Sequence, residues 1–235
     1  MIKVTILYIS VYDKSILKDF MRKRFSLLNL SQRKELLKQL SLDFPNPKSE
    51  LVFSSVYELL CAVVLSAQTT DESVNSVTPT LFSLARTPEQ MAELGEDKIC
   101  QIIKSIGLYR AKAGYLIKLS RILVQEYDSQ VPADYESLVK LPGVGSKTAK
   151  VVLNVAFGQP TVAVDTHIFR VANRTGFCIG KNAKEVEERI VPLIDETYLI
   201  KAHHLLLLHG RYVCRAKNPM CDACSVRQIC KKRLD

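Results

Sequence analysis

The sequence predicts an all-α fold, on three observations. From about Ser31 onward, segment after segment carries apolar residues at intervals of three and four. Several of these segments open on Ser, Thr, Asp or Asn, the residues that cap helix N-termini. Strand signals are sparse and short. With 235 residues, 47% hydrophobic and 24% charged, the chain can bury a sizeable core in one or two domains.

Residues 1–27 carry no readable core pattern. Val4 to Tyr12 is apolar and β-branched, but Asp13 interrupts it and no small-residue cleavage site follows, so it is not read as an export signal. Met21-Arg22-Lys23-Arg24 is a basic patch. The expectation is a non-essential extension of unknown role, with Met21 an alternative start. No apolar run approaches the roughly 20 residues that span a bilayer.

Helices then follow in order. Leu36, Leu37 and Leu40 mark a first amphipathic helix, ended by Pro45 and Pro47. Ser55 and Glu58 have capping-box spacing before a helix that is apolar on most sides, from Val56 through Cys61 to Ala67. Thr87-Pro88-Glu89-Gln90 is a helix start with proline in the first turn. Gly107 breaks the chain before a long helix carrying Leu116, Leu119, Leu123 and Tyr127. Asp134, Asp165, Asn182 and Thr197 each precede a further helical pattern.

At the centre lies Leu141-Pro142-Gly143-Val144-Gly145-Ser146-Lys147-Thr148-Ala149. Asp134 caps the helix before this turn. After it, Thr148, Val151, Val152, Val155 and Ala156 fall on one helical face. Gly143 and Gly145 permit positive φ and a close backbone approach. The free N–H groups of Gly145, Ser146 and Lys147 suit an anion such as phosphate. The turn resembles a helix-hairpin-helix, which grips a DNA backbone without reading its sequence; an ordinary corner of a helical core is the plainer alternative. Gly107-Leu108-Tyr109-Arg110-Ala111-Lys112-Ala113 is a faint echo of it. On the hairpin alone, Lys147 is either a phosphate clamp or a nucleophile. A net charge of +9 favours an anionic partner, of which nucleic acid is the commonest.

Four of the seven cysteines, Cys214, Cys221, Cys224 and Cys230, lie within 17 residues near the C-terminus. Nothing suggests an oxidising compartment, so a disulfide scaffold is a poor reading. Four-cysteine zinc sites usually come as two close pairs, and only Cys221 and Cys224 form one. A [4Fe–4S] cluster is larger and accepts a looser loop, one thiolate to each iron. That spacing favours the cluster, in a structural role, with zinc the alternative. Arg215, Lys217, Arg227, Lys231, Lys232 and Arg233 stud the loop and its exit. They form either a phosphate-binding surface, with Arg215 and Lys217 as its DNA contacts, or a solvated terminus. Cys61, Cys100 and Cys178 read as small buried residues.

Three features now coincide: the Leu-Pro-Gly-Val-Gly-Ser-Lys-Thr-Ala turn, the run from Val162 to Arg174 containing Val-Asp-Thr-His-Ile, and the four-cysteine loop. Together with Leu65-Ser66-Ala67-Gln68 and His209-Gly210-Arg211-Tyr212, they resemble the endonuclease III family of iron–sulfur DNA glycosylases from about Leu28 onward. The resemblance implies a two-lobed helical protein. One lobe is a six-helix domain, residues 49–159, with the helix-hairpin-helix at about 134–157. The other joins 28–48 to 160–235 and carries the cluster loop, 214–230. A damaged nucleotide in double-stranded DNA would enter between them. Lys147 would be the nucleophile and Asp165 the carboxylate that stabilises charge on the sugar and helps move protons. The chemistry needs a neutral amine part of the time; the helix N-terminus and burial would both act against the charged form. Gly143, Val144, Gly145 and Ser146 would hold the strand. Gln68 would fill the gap left by the flipped nucleotide and Leu108 would wedge into the stack; their plainer readings are a helix-terminal amide and a loop anchor. Asp165 also reads as an N-cap.

The function implied is base excision repair of oxidised pyrimidines, with lyase cleavage 3′ to the abasic site. It carries expectations of a cytoplasmic, nucleoid-associated monomer with no membrane partner. The adenine-mismatch glycosylases of the same superfamily share the cluster but lack a lysine at the position of Lys147 and carry a further C-terminal domain. A non-catalytic iron–sulfur DNA-binding protein is the alternative from another class. His167, His203, His204 and His209 match no metal-ligand spacing and read as structural residues or DNA contacts.

Overall fold

The computed structural model describes residues 27–232. The expected extension, apart from Leu27, and Arg233 lie outside them. Eleven α-helices occur among the described residues: α1 (Leu30–Asp43), α2 (Val56–Leu65), α3 (Asp71–Leu84), α4 (Pro88–Leu94), α5 (Glu96–Ile103), α6 (Tyr109–Glu126), α7 (Tyr135–Leu138), α8 (Ser146–Phe157), α9 (Thr166–Thr175), α10 (Ala183–Ile190) and α11 (Ala202–Tyr212). No strand occurs among them, and none of these helices is long and apolar enough to cross a membrane.

Side-chain caps explain most of the starts. Asn29, Ser55, Thr70, Thr87, Asp134, Asp165 and Asn182 each accept a hydrogen bond from a first-turn amide. The Ser55 cap has a variation: Glu58 reaches back to the amide of Ser54, not Ser55. Thr197 is not a cap. It sits inside a single 3₁₀ turn, Glu196–Tyr198, that Asp195 caps, and α11 begins only at Ala202. The sequence Asp-Glu-Thr offers two neighbouring capping residues, and the earlier one takes the role.

The buried apolar side chains form two clusters. One runs from Leu51 to Leu153 and centres on α2, where every residue from Tyr57 to Leu65 is buried. The other joins Leu28, Leu36, Leu37 and Leu40 to side chains between Val162 and Val226. Polar contacts tie the two together. Asn154 of α8 is buried, and its amide donates to the carbonyls of Gln159, Thr161 and Ile200 at 3.1–3.2 Å. Lys150 pairs with Glu187 of α10, and Arg211 of α11 pairs with Glu50 and Asp71.

The core face of α8 is rotated from the expected stripe. Ala149, Val152 and Leu153 are its buried apolar residues, whereas Thr148 and Val151 turn toward a cleft. A helix with apolar residues on two flanks serves two neighbours, so periodicity alone does not say which flank is deepest.

Candidate active site and cysteine pocket

A cleft of about 560 Å³ opens where the α2–α3 turn, the start of α8, the start of α9 and one side of α11 meet. Its volume falls in the range of ligand pockets. Lys147, Asp165 and Gln68 all line it, together with Glu50, Asp71, His203, His204 and Arg211. Residues 97 apart in sequence, Gln68 and Asp165, thus share one wall system.

Lys147 stands in the first turn of α8. The N-cap of that helix is Gly145, which supplies no side-chain cap, so its first amides have no acceptor among the described residues. Lys147 is exposed, which corrects the expectation that it is buried. Asp165 is half-buried and caps α9, accepting from the Ile168 amide at 2.8 Å. The bond uses one carboxylate oxygen, Oδ1, and leaves the other available to the cleft.

The hairpin glycines differ from each other. Gly143 has φ +81°, and a Cβ there would lie 2.9 Å from the Tyr115 side chain. Gly145 is extended, with φ −90°, which corrects the expectation of positive φ at both. A Cβ at Gly145 would meet nothing within 4 Å, so its neighbourhood is open to an incoming group. Val144 faces inward: its side chain is buried and its amide donates to the Leu141 carbonyl. It anchors the turn to the core and offers a DNA strand neither its side chain nor its N–H. Ser146 is exposed beside Gly145.

Gln68 lies three residues beyond the end of α2, in a turn, with φ 55°. Leu108, the N-cap of α6, has φ 58° and is 60% exposed. Left-handed backbone is costly for residues other than glycine, and such strain gathers at functional positions. The two turns are neighbours: a Cβ on Gly107 would lie 3.9 Å from the Gln68 carbonyl oxygen.

His203, His204 and His209 are buried. Burial, with the Arg211 charge adding to it, pushes His203 down to about 3 and His204 to about 4; burial pushes His209 to about 4. All three are therefore neutral at physiological pH. Sequence reading missed the cluster of Glu50, Asp71 and Arg211 on the cleft rim, where Arg211 Nη1 donates to Asp71 at 2.6 Å. Partners 140 or more residues apart leave no local pattern to find.

The four C-terminal cysteines are free and line one small cavity with Val213, Pro219, Met220 and Val226. Among the described residues no group of three or more His, Cys, Asp or Glu is placed to hold a metal ion. The Lys232 amide donates to Cys230 Sγ at 3.3 Å. From α9, Arg170 donates to the Cys214 carbonyl at 2.9 Å and Arg174 to the Arg215 and Ala216 carbonyls at 2.7 and 3.1 Å. Arg215 and Lys217 are exposed on this loop and do not line the cleft. Of the remaining cysteines, Cys61 and Cys178 are buried and Cys100 is half-buried.

Comparison with known proteins finds matches in both sequence and fold. The family model described as HhH-GPD superfamily base excision DNA repair protein matches residues 61–195. Endonuclease III of Escherichia coli K12 is 50% identical over 210 residues, covering 88% of this chain and all of that protein. The Rickettsia conorii endonuclease III is 52% identical over 186 residues, covering 79% and 89%. The fold matches that of a trapped endonuclease III–DNA covalent intermediate with a TM-score of 0.82 at 43% identity, over 88% of this chain and 97% of that one. A thermostable thymine-DNA glycosylase shares the fold at a TM-score of 0.76 and 24% identity, over 85% and 95%. With identity near one half along nearly the whole length of its relatives, the chain belongs to the endonuclease III family of the HhH-GPD superfamily.

Proposed function

We propose that this DNA glycosylase of base excision repair removes oxidised pyrimidines from double-stranded DNA and then cleaves 3′ to the abasic site. The observation that supports it most strongly is that Lys147 and Asp165, carried on two different helices, line one cleft with Gln68. In this reading the exposed amides at Gly145 and Ser146 hold the backbone, with Gly143 shaping the turn, while Gln68 and Leu108 enter the stack. The Lys147 amine attacks C1′ of the extruded nucleotide and the C1′–N bond breaks, the base leaving with its electron pair and taking up a proton. Asp165 balances the positive charge that develops on the sugar. Loss of a proton from nitrogen and opening of the sugar ring give an imine between Lys147 and C1′. The imine acidifies C2′; a base removes that proton, and the 3′ phosphate departs as the C2′–C3′ double bond forms. Water finally hydrolyses the imine and frees Lys147.

The reading carries the two-lobed division at 49–159 and 28–48 plus 160–235, a cytoplasmic location and action as a monomer. It also assigns Cys214, Cys221, Cys224 and Cys230 to a [4Fe–4S] cluster. A tetrahedral zinc with bonds of about 2.3 Å would draw its four sulfurs to within about 4 Å of one another. Four thiols on a 17-residue loop around one apolar cavity suit the larger group better. When bound, the cluster would cross-link the loop that begins at α11 and returns to Thr175. Arg215 and Lys217 would then lie on a fixed surface facing phosphate. Purified protein is expected to contain iron and inorganic sulfide near four each per chain; stoichiometric zinc without sulfide contradicts the assignment.

The enzymatic reading is tested by duplex cleavage with Lys147→Ala. Strand cleavage at thymine glycol is expected to fall by orders of magnitude while duplex affinity survives. Parallel loss of binding and cleavage would make Lys147 a phosphate clamp.

A further inference from the structure

Lys112 is a residue that the proposed chemistry does not use. It lies in the first turn of α6, four residues after Leu108, and its side chain is buried, with the residue only 2% exposed. Desolvation lowers its pKa, and no carboxylate among the described residues pairs with it. The positive end of the helix dipole is also an unfavourable place for an ammonium group. A buried, unpaired cation in a first turn costs stability, so its placement calls for a compensating role.

Its hydrogen bonds indicate that role. Nζ donates to Thr69 Oγ1 at 2.7 Å, and Thr69 Oγ1 in turn donates to the Ala67 carbonyl at 3.4 Å. These bonds span the turn that holds Gln68 in its left-handed conformation. At its other end, the Lys112 amide donates to the carbonyl of Leu108, the second left-handed residue, at 3.0 Å. Lys112 thus bonds to both strained turns, to one through its side chain and to the other through the backbone amide that opens the α6 hydrogen-bond ladder, and the turns lie side by side at Gly107 and Gln68.

We propose that Lys112, through Thr69, is a positioning residue that couples the Gln68 and Leu108 turns so that both enter the duplex as one unit. This rests on the roles proposed above for Gln68 and Leu108. A loose turn would relax toward the ordinary right-handed region, and its side chain would no longer be aimed at the gap. Bracing by a charge-assisted hydrogen bond keeps both side chains aimed before DNA arrives.

The test uses the full chain bound to a duplex with a tetrahydrofuran abasic analogue opposite 2-aminopurine. The analogue cannot form an imine, so the fluorescence rise on mixing reports intrusion into the stack and not chemistry. Lys112→Met and Thr69→Val are each expected to slow that rise about tenfold, the loss of one charge-assisted hydrogen bond. The double variant should be no slower than either single one, and Lys112→Arg should recover part of the rate. Melting temperature is followed in parallel, and Thr69→Val carries the test if Lys112→Met folds poorly. A full response in Lys112→Met, or a loss there with a normal response in Thr69→Val, overturns the coupling. Normal responses in Gln68→Ala and Leu108→Ala would instead overturn the roles of the two intruding residues, whatever Lys112 does.

Discussion

Gly143 and Gly145 occupy one turn for different physical reasons. The first is needed by the fold: positive φ and contact with the Tyr115 side chain both reject a Cβ. The second is not, because its backbone is extended and its surroundings are open. Gly143→Ala is expected to cost about 1–3 kcal/mol, lowering the melting temperature by roughly 2–12 °C. Gly145→Ala should stay within about 0.5 kcal/mol of the parent in stability, yet weaken duplex binding in a titration, since its methyl group occupies the approach path. Equal effects on folding from the two substitutions would refute the distinction. The sequence showed that two glycines flank Val144 but not which needs its freedom. Positive φ depends on the path of the neighbouring helices, and Tyr115, the side chain that excludes a Cβ at Gly143, lies 28 residues away.

At the scale of elements, α9 connects the cleft to the cysteine loop. Asp165 caps its start and, one and two turns later, it presents Arg170 and Arg174 to the carbonyls leading out of α11. Its crossing with α11 is close: a Cβ on Gly210 would lie 2.9 Å from His167 Cβ and 3.1 Å from the His167 carbonyl oxygen. Because one of these atoms is backbone, Gly210→Ala must push the helices apart. The expected cost is about 2–3 kcal/mol, with a melting temperature lower by roughly 4–12 °C and a fall in cleavage rate at 25 °C. An unchanged melting temperature would show that the crossing yields freely. The helices were largely legible because caps and apolar spacing are local signals, as Asp134, Asp165 and Asn182 show. The orientation of α8 and the role of Thr197 were not, since each depends on which neighbour the segment packs against.

For the molecule as a whole, the packing of α11 ties stability to pH. His203 and His204 hold their neutral forms in the fold, near 3 and 4, against about 6.5 in an unfolded chain. Below 6.5 the unfolded state therefore binds more protons than the folded one. Their contribution is complete above that pH and is lost as the pH falls toward 4, by up to about 1.4 kcal/mol per unit for each histidine. Melting temperature is expected to drop across this window, and less steeply in His204→Gln; identical slopes would contradict the assignment. The same helix shows where sequence reading stops. His-His-Leu and His-Gly-Arg-Tyr were visible as motifs, but the pairing of Arg211 with Glu50 and Asp71 across the cleft joins residues from opposite ends of the chain.

In the proposed reaction one lysine, at the open end of α8, forms the bond to the sugar. Borohydride reduction during reaction with a thymine glycol duplex, followed by protease digestion and peptide mass mapping, locates that bond directly. A single nucleotide-derived adduct is expected on the peptide containing Lys147, absent from Lys147→Ala. An adduct on Lys112, Lys150 or the chain's amino terminus that persists in Lys147→Ala would contradict it.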